Sequence, residues 1–204
     1  MYKSEKFWDR MSKNYDSEEN KTISETLEIT KKHLKSSDII LDYACATGTY
    51  TINLSSVVKE AYGIDFSPKM IDAAKRKASE NKIENINFIQ STIFDERFNK
   101  ESFDVIIGFN ILHLLQDLPA VIHRINTLLK PGGLFISVTP CLGQKKSFLS
   151  TSLAFLNKIK IVPKINFFKI SDIEDLISHG HFQIVEMETL SDAIPNQCIV
   201  AKKI

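Results

Sequence analysis

Two carboxylates bracket the part of this chain whose residue types could do chemistry. Asp42 lies at the end of the apolar run I-I-L-D, and Asp65 closes E-A-Y-G-I-D, 17 residues after Gly48. Between them, in Y-A-C-A-T-G-T, Ala44, Ala46 and Gly48 occupy alternate positions. A small-x-small-x-Gly turn lets backbone approach a ligand closely. A helix starting just after it aims its unpaired N–H groups and positive dipole end at the same space. An acid placed like Asp65 can accept two hydrogen bonds from the ribose hydroxyls of a nucleoside. Asp42 can hold a cationic group.

Other reactive side chains are sparse. Cys45 reads as a small buried filler rather than a nucleophile. His113 stands just past an apolar run, where it is either a general base or a satisfied polar residue on a short helix; the second reading is preferred. Cys45, Cys141 and Cys198 are too far apart for a zinc site or a disulfide framework, so no metal is expected, and a reducing cytoplasm is the expected compartment.

The elements that must position these residues alternate. Strands are expected at Ile39–Ala44, Glu60–Asp65, Ile86–Ser91, Phe103–Asn110 and Leu134–Thr139. Helices are expected at Thr49–Val58, from Ser67-Pro68 to about Asn81, and over Pro119–Leu129, the last closed by Lys130-Pro131-Gly132-Gly133. This alternation predicts an α/β doubly wound, mostly parallel sheet with helices on both faces. At the end, a helix over Ser171–His179 with a serine cap precedes strands at Phe182–Leu190 and Gln197–Lys202. Only six residues join those strands, too few for a crossover helix, so they form an antiparallel hairpin.

Outside this core, residues 1–34 read as helices packed on the domain. Residues 142–170 hold six Lys and no Asp or Glu among Phe and Leu residues, a pattern read as a lid. The whole chain is thus expected to be one domain: N-terminal helices (1–34), a ligand-binding core (35–140), a lysine-rich cap (142–170), and a last helix with its hairpin (171–204). With 26 basic and 25 acidic residues in 204, charge makes no case for nucleic acid. There is no signal-peptide core and no apolar run long enough to span a membrane, though the lysine-rich stretch suits peripheral contact with an anionic surface. The sequence fixes no oligomeric state.

L-D-Y-A-C-A-T-G-T resembles the first motif of class I S-adenosylmethionine-dependent methyltransferases, and G-I-D-F-S-P-K-M-I-D-A-A their second. F-D-V-I-I-G-F-N-I-L-H-L-L and L-L-K-P-G-G-L-F-I-S resemble their fourth-strand motif and the turn into the fifth strand. The four stand in order over about Leu34–Val138, nearest to the small-molecule branch that includes ubiquinone- and menaquinone-biosynthesis enzymes.

The resemblance implies a Rossmann-like seven-stranded fold, S-adenosyl-L-methionine as cofactor, and methyl transfer by in-line displacement to a small molecule; the lysine-rich lid suits an amphipathic or acidic acceptor. It implies that Asp42 and the turn Ala44, Cys45, Ala46, Gly48 hold the methionine part. Asp65 would hold the ribose, with Phe66 and Met70 against the adenine and Thr92 and Ile93 at its edge. Asn110 and Ile111 would lie near the sulfonium, with Tyr15 closing over the methionine end. No catalytic residue is assigned. Two departures from the pattern stand out: Ala44 and Ala46 replace glycines, and Ser91-Thr92 stands where Gly-Asp is common. Two alternatives stand beside this reading, a non-catalytic domain with weakened cofactor binding and a nicotinamide-dependent oxidoreductase.

Overall fold

Strand β1 (Ile39–Tyr43) is central because both its faces must be covered: Ile40 and Leu41 point to opposite sides and neither is exposed. The computed structural model describes residues 3–16, 21–145, 151–152, 156–157, 163–190 and 194–204. Six further strands join β1: β2 (Glu60–Asp65), β3 (Ile86–Gln90), β4 (Phe103–Phe109), β5 (Leu129–Pro140), β6 (Phe182–Thr189) and β7 (Asn196–Lys203). The sheet order is β3-β2-β1-β4-β5-β7-β6. Pairings among β1–β5 are parallel, whereas β7 is antiparallel to both β5 and β6. The parallel sheet and the closing antiparallel hairpin are those expected.

Helices flank the strands: α1 (Lys3–Met11), α2 (Lys21–Lys32), α3 (Thr49–Ser55), α4 (Pro68–Glu80), α5 (Leu118–Leu128) and α6 (Ile170–Ser178). On one face, Ile122 and Ile125 of α5 and Ile173 and Ile177 of α6 pack with Leu41, Ile106 and Phe135. On the other, Ile29 of α2 and Leu54 of α3 cover Ile40, Val105 and Ile107. Each fully buried Leu or Ile contributes about 1.5–3 kcal/mol to folding. Among the described residues no helix is long and apolar enough to cross a membrane.

Beyond one-residue offsets, three features at the element boundaries differ from expectation. Helix α3 ends at Ser55 rather than Val58. Strand β5 begins at Leu129, five residues early. Phe103 pairs with Leu129 and Val105 with Leu134, so Lys130–Gly133 bulges out of a continuous strand instead of preceding it. A side chain at Gly133 would sit 2.9 Å from the Asp104 carbonyl oxygen, and Lys130 Nζ reaches the Asp104 carboxylate at 2.7 Å. Finally, α6 is not capped by Ser171, which lies in its first turn. The Asp172 carboxylate reaches back instead and accepts from the Lys169 N–H at 2.8 Å.

Candidate functional site

The chain leaves β1 toward β2 and β3 on one side, and β4 lies on the other. A doubly wound sheet opens a crevice at the carboxyl ends of its strands where the order reverses in this way. Two sharp bends bring the candidate residues there. After β1, Ala44 and Ala46 adopt left-handed conformations (φ 62° and 48°), and after β4 so does Asn110 (φ 54°). Asparagine tolerates that region; each alanine pays about 1 kcal/mol for it. The turn is held by the Cys45 N–H on the Ile64 carbonyl (2.9 Å) and the Gly48 N–H on the Cys45 carbonyl (2.8 Å).

Gly48 faces inward, not toward the crevice. Besides its φ of 78°, a side chain there would lie 2.6 Å from Phe88 and 3.0 Å from Ala74. Its smallness lets α3 and α4 close over Phe88, while the crevice wall is made by Ala44 and Ala46.

Asp65 organises the site. It is only 7% exposed; one carboxylate oxygen accepts from the Ala46 N–H (3.1 Å), the other from the Ser67 N–H (2.8 Å). Burial raises its pKa, and the two amides act against that rise. Ser67 in turn caps α4 by accepting from the Met70 N–H, and Pro68 opens the helix. Asp42 is fully buried beneath the turn, where its carboxylate accepts from the Thr51 hydroxyl at 2.6 Å. Burial pushes its pKa up to about 7, the Thr51 bond opposing and the Asp65 charge adding to the shift.

Two adjoining chambers open on this turn. The first is a cavity of about 400 Å³, walled by Ala44, Ala46, Asp65, Phe66, Met70, Asn110 and Ile111 and by Trp8 of α1. The second, about 680 Å³, is lined by Asp42, Cys45, Thr47 and Thr49 and by Ser24 and Leu27 of α2. Tyr15, Ala44, Ala46, Phe109 and Asn110 border both. Tyr15 is 44% exposed overall. Loss of water around its hydroxyl, then the charges of Asp65, Asp16 and Asp42, raise its pKa.

Eleven of the thirteen anticipated site residues therefore converge or lie in the turn itself. Thr92 and Ile93 do not border either chamber. Thr92 is exposed, whereas Ile93 is fully buried against α5, where its carbonyl accepts from the Arg124 guanidinium. The Cys45 thiol packs in the small cluster around Phe88, where burial raises its pKa well above the ordinary value, in keeping with a buried filler. His113 lies beside the first chamber rather than in its wall. Burial lowers its pKa to about 4, and Nδ1 has no hydrogen-bond partner among the described residues.

Sequence reasoning missed the acids that fasten the N-terminal segment. Asp9 of α1 is buried and accepts from the Ser67 hydroxyl at 2.6 Å. Asp16 accepts from the Thr47 and Thr49 hydroxyls at 2.7 and 2.9 Å. No local pattern marks these two among the other acids of the chain. Within the lysine-rich stretch 142–170, residues 146–150, 153–155 and 158–162 lie outside the described residues. Its described part includes Pro163 and Lys164, which border the first chamber. Among the described residues no cluster of His, Cys, Asp or Glu could hold a metal ion.

A family profile described as a methyltransferase domain matches residues 34–160. The chain is similar to a demethylmenaquinone methyltransferase of Staphylococcus saprophyticus, with 32% identity over 133 residues that cover 63% of this chain and 55% of the relative. It is also similar to a demethylmenaquinone methyltransferase of Lactococcus lactis, with 38% identity over 103 residues, 48% of this chain and 40% of the relative. The chain thus matches about half the length of these curated relatives.

Two solved structures share the fold. One is an S-adenosylmethionine-dependent methyltransferase from Aquifex aeolicus (TM-score 0.77, 13% identity, 96% of this chain and 98% of that one). The other is the geranyl diphosphate C-methyltransferase of Streptomyces coelicolor, in complex with Mg²⁺, geranyl diphosphate and S-adenosyl-L-homocysteine (TM-score 0.74, 16% identity, 89% and 79%).

Proposed function

Because the chain belongs to the methyltransferase-domain family, we propose that it is an S-adenosyl-L-methionine-dependent methyltransferase acting on a small-molecule acceptor. The observation that carries this reading is the placement of Asp65. Its carboxylate is pinned by two backbone amides yet borders a cavity whose size suits a small ligand, and it keeps lone pairs for further hydrogen bonds. A paired acid of this kind fits vicinal ribose hydroxyls. Phe66 and Met70 beside it offer apolar surface to a base, and Asp42 behind the turn offers a carboxylate to an ammonium group.

When bound, the cofactor supplies a methyl group on a sulfonium, which leaves readily as a neutral thioether. The protein's part is then chiefly orientation and exclusion of water. Ala44, Ala46 and Asn110 hold the backbone of both bends toward the cavity. Tyr15 and Trp8 cover it from α1 and the segment that follows. Thr92 and Ile93 are proposed to meet the adenine edge through backbone, since the Ile93 side chain is committed to the core. Among the described residues, the wall holds no acid besides Asp65 and no imidazole. Three buried thiols suit a reducing, cytoplasmic compartment.

The turn holds a left-handed shape despite Ala44 and Ala46, which counts against the reading of a domain with lost cofactor binding. Calorimetry with S-adenosyl-L-methionine and S-adenosyl-L-homocysteine tests the proposal. Micromolar binding abolished by Asp65→Ala supports it. No heat at about 1 mM of either compound sinks it.

A further inference from the structure

The cavity that borders Asp65 also has a stretch of wall with a different chemistry. Its lining includes Trp8, Ile111, Leu114, Leu115 and Pro163, all apolar. Gln116 and Lys164 line it as well. Among the described residues that line this cavity, only Asp65 and Lys164 carry a formal charge, and Asp65 is the acid proposed above to take the ribose. Lys164 is exposed, and the described residues offer it no ion pair.

Lys164 is also held in place. Two residues on, Asn166 donates its backbone N–H to the His113 carbonyl at 2.7 Å and its side-chain amide to the Leu115 carbonyl. Both acceptors belong to the bend after β4 that forms the cavity floor. Farther along, the Gly143 N–H bonds to the Phe168 carbonyl at 2.8 Å, and the Ile170 N–H to Gln144 at 3.0 Å. A backbone stapled at these points sets Lys164 at the edge of an apolar stretch of wall.

We propose that Lys164 selects the acceptor's charge: the site takes a small apolar acid, its ring or branched body against Trp8, Leu114 and Leu115 and its carboxylate on Lys164. This rests on the methyltransferase reading of the site. A carboxylate fits better than a phosphate because, among the described residues, a single cation beside a neutral Gln116 matches one negative charge, not two. A neutral acceptor leaves Lys164 unpaired and gains nothing from it.

Trp8 is the only tryptophan in the chain, so its emission reports filling of this chamber without any turnover. The probes are 3-phenylpropionate and its uncharged isostere 3-phenylpropanamide, titrated in low salt with and without saturating S-adenosyl-L-homocysteine. The acid is expected to bind about fivefold more tightly than the amide, the scale of one partly exposed ion pair. Lys164→Met removes the preference, Lys164→Arg keeps it, and about 1 M salt erases it. Equal binding of the two probes, no detectable binding of the acid, or a preference that survives in Lys164→Met overturns the proposal. An acid preference in protein that fails to bind S-adenosyl-L-homocysteine refutes the methyltransferase reading and leaves the role of Lys164 standing.

Discussion

The carboxylate of Asp16 lies 2.9 Å from the ammonium of Lys77, joining the segment after α1 to α4 across the mouth of the turn that follows β1. The other Asp16 oxygen takes both threonine hydroxyls, and Lys77 also donates to Thr47 (3.2 Å) and Thr49 (3.0 Å). Partial burial raises the Asp16 pKa, but the bonds from Thr47, Lys77 and Thr49 outweigh it and leave the carboxyl below its usual range. Four groups thus close a cluster beside Tyr15, the residue that borders both chambers.

Removing that cluster should loosen the cover before it harms the fold. Asp16→Ala is expected to cost about 1–2 kcal/mol of stability, because the salt bridge is partly exposed and Thr47 keeps Lys77 as a partner. S-adenosyl-L-homocysteine should dissociate several-fold faster in stopped-flow measurements. An unchanged dissociation rate would detach Asp16 from the site.

The two alanines make a separate prediction. Both sit at positive φ, where glycine is unstrained but loses more entropy on folding. Ala46→Gly, and Ala44→Gly beside it, should each raise stability by about 0.5–1 kcal/mol in denaturant unfolding. A loss of stability in both variants would show that the turn is not strained.

Asp42 ties stability to pH. Its carboxyl titrates near 7 in the folded protein and near 4 in the unfolded chain, so the folded state binds the extra proton between those values. Its contribution to stability is complete below about pH 4 and is lost as pH rises to about 7. His113, lowered to about 4, runs the other way, so the variant must be compared with wild type at each pH. Asp42→Asn should become more stable than wild type by about 2–4 kcal/mol at pH 8 and gain little at pH 4. The same change should weaken S-adenosyl-L-homocysteine at least about tenfold if Asp42 holds its ammonium. A stability difference that does not vary with pH would place the titration elsewhere.

His113 is neutral at pH 7, and its Nδ1 is an orphaned polar atom among the described residues. His113→Leu should leave turnover within about tenfold of wild type and stability unchanged or slightly raised. A fall of about 10² or more in kcat, with loss of the acidic limb of its pH profile, would make His113 the base after all.

Much of this protein was legible without coordinates, because the relevant physics is local. Apolar strands alternating with capped helices specified a parallel sheet, and the six-residue link specified the closing hairpin. Ser67-Pro68 marked the start of α4, and the alternation of small residues after β1 marked the sharp turn. The Lys130–Gly133 segment misled because Pro-Gly-Gly reads as a terminator, while pairing with β4 carries the strand through it as a bulge.

What tertiary structure decided were the relationships between distant residues. Asp9 meets Ser67 from 58 residues away, and Asp16 meets Lys77 from 61. Gly48 owes its identity to Phe88 rather than to a ligand, and Lys164 reaches the cavity because Asn166 is bonded to the bend after β4. A hydroxyl, a carboxylate or a lysine looks alike on any solvated helix or loop. Only packing decides which of them lose water and must find one another.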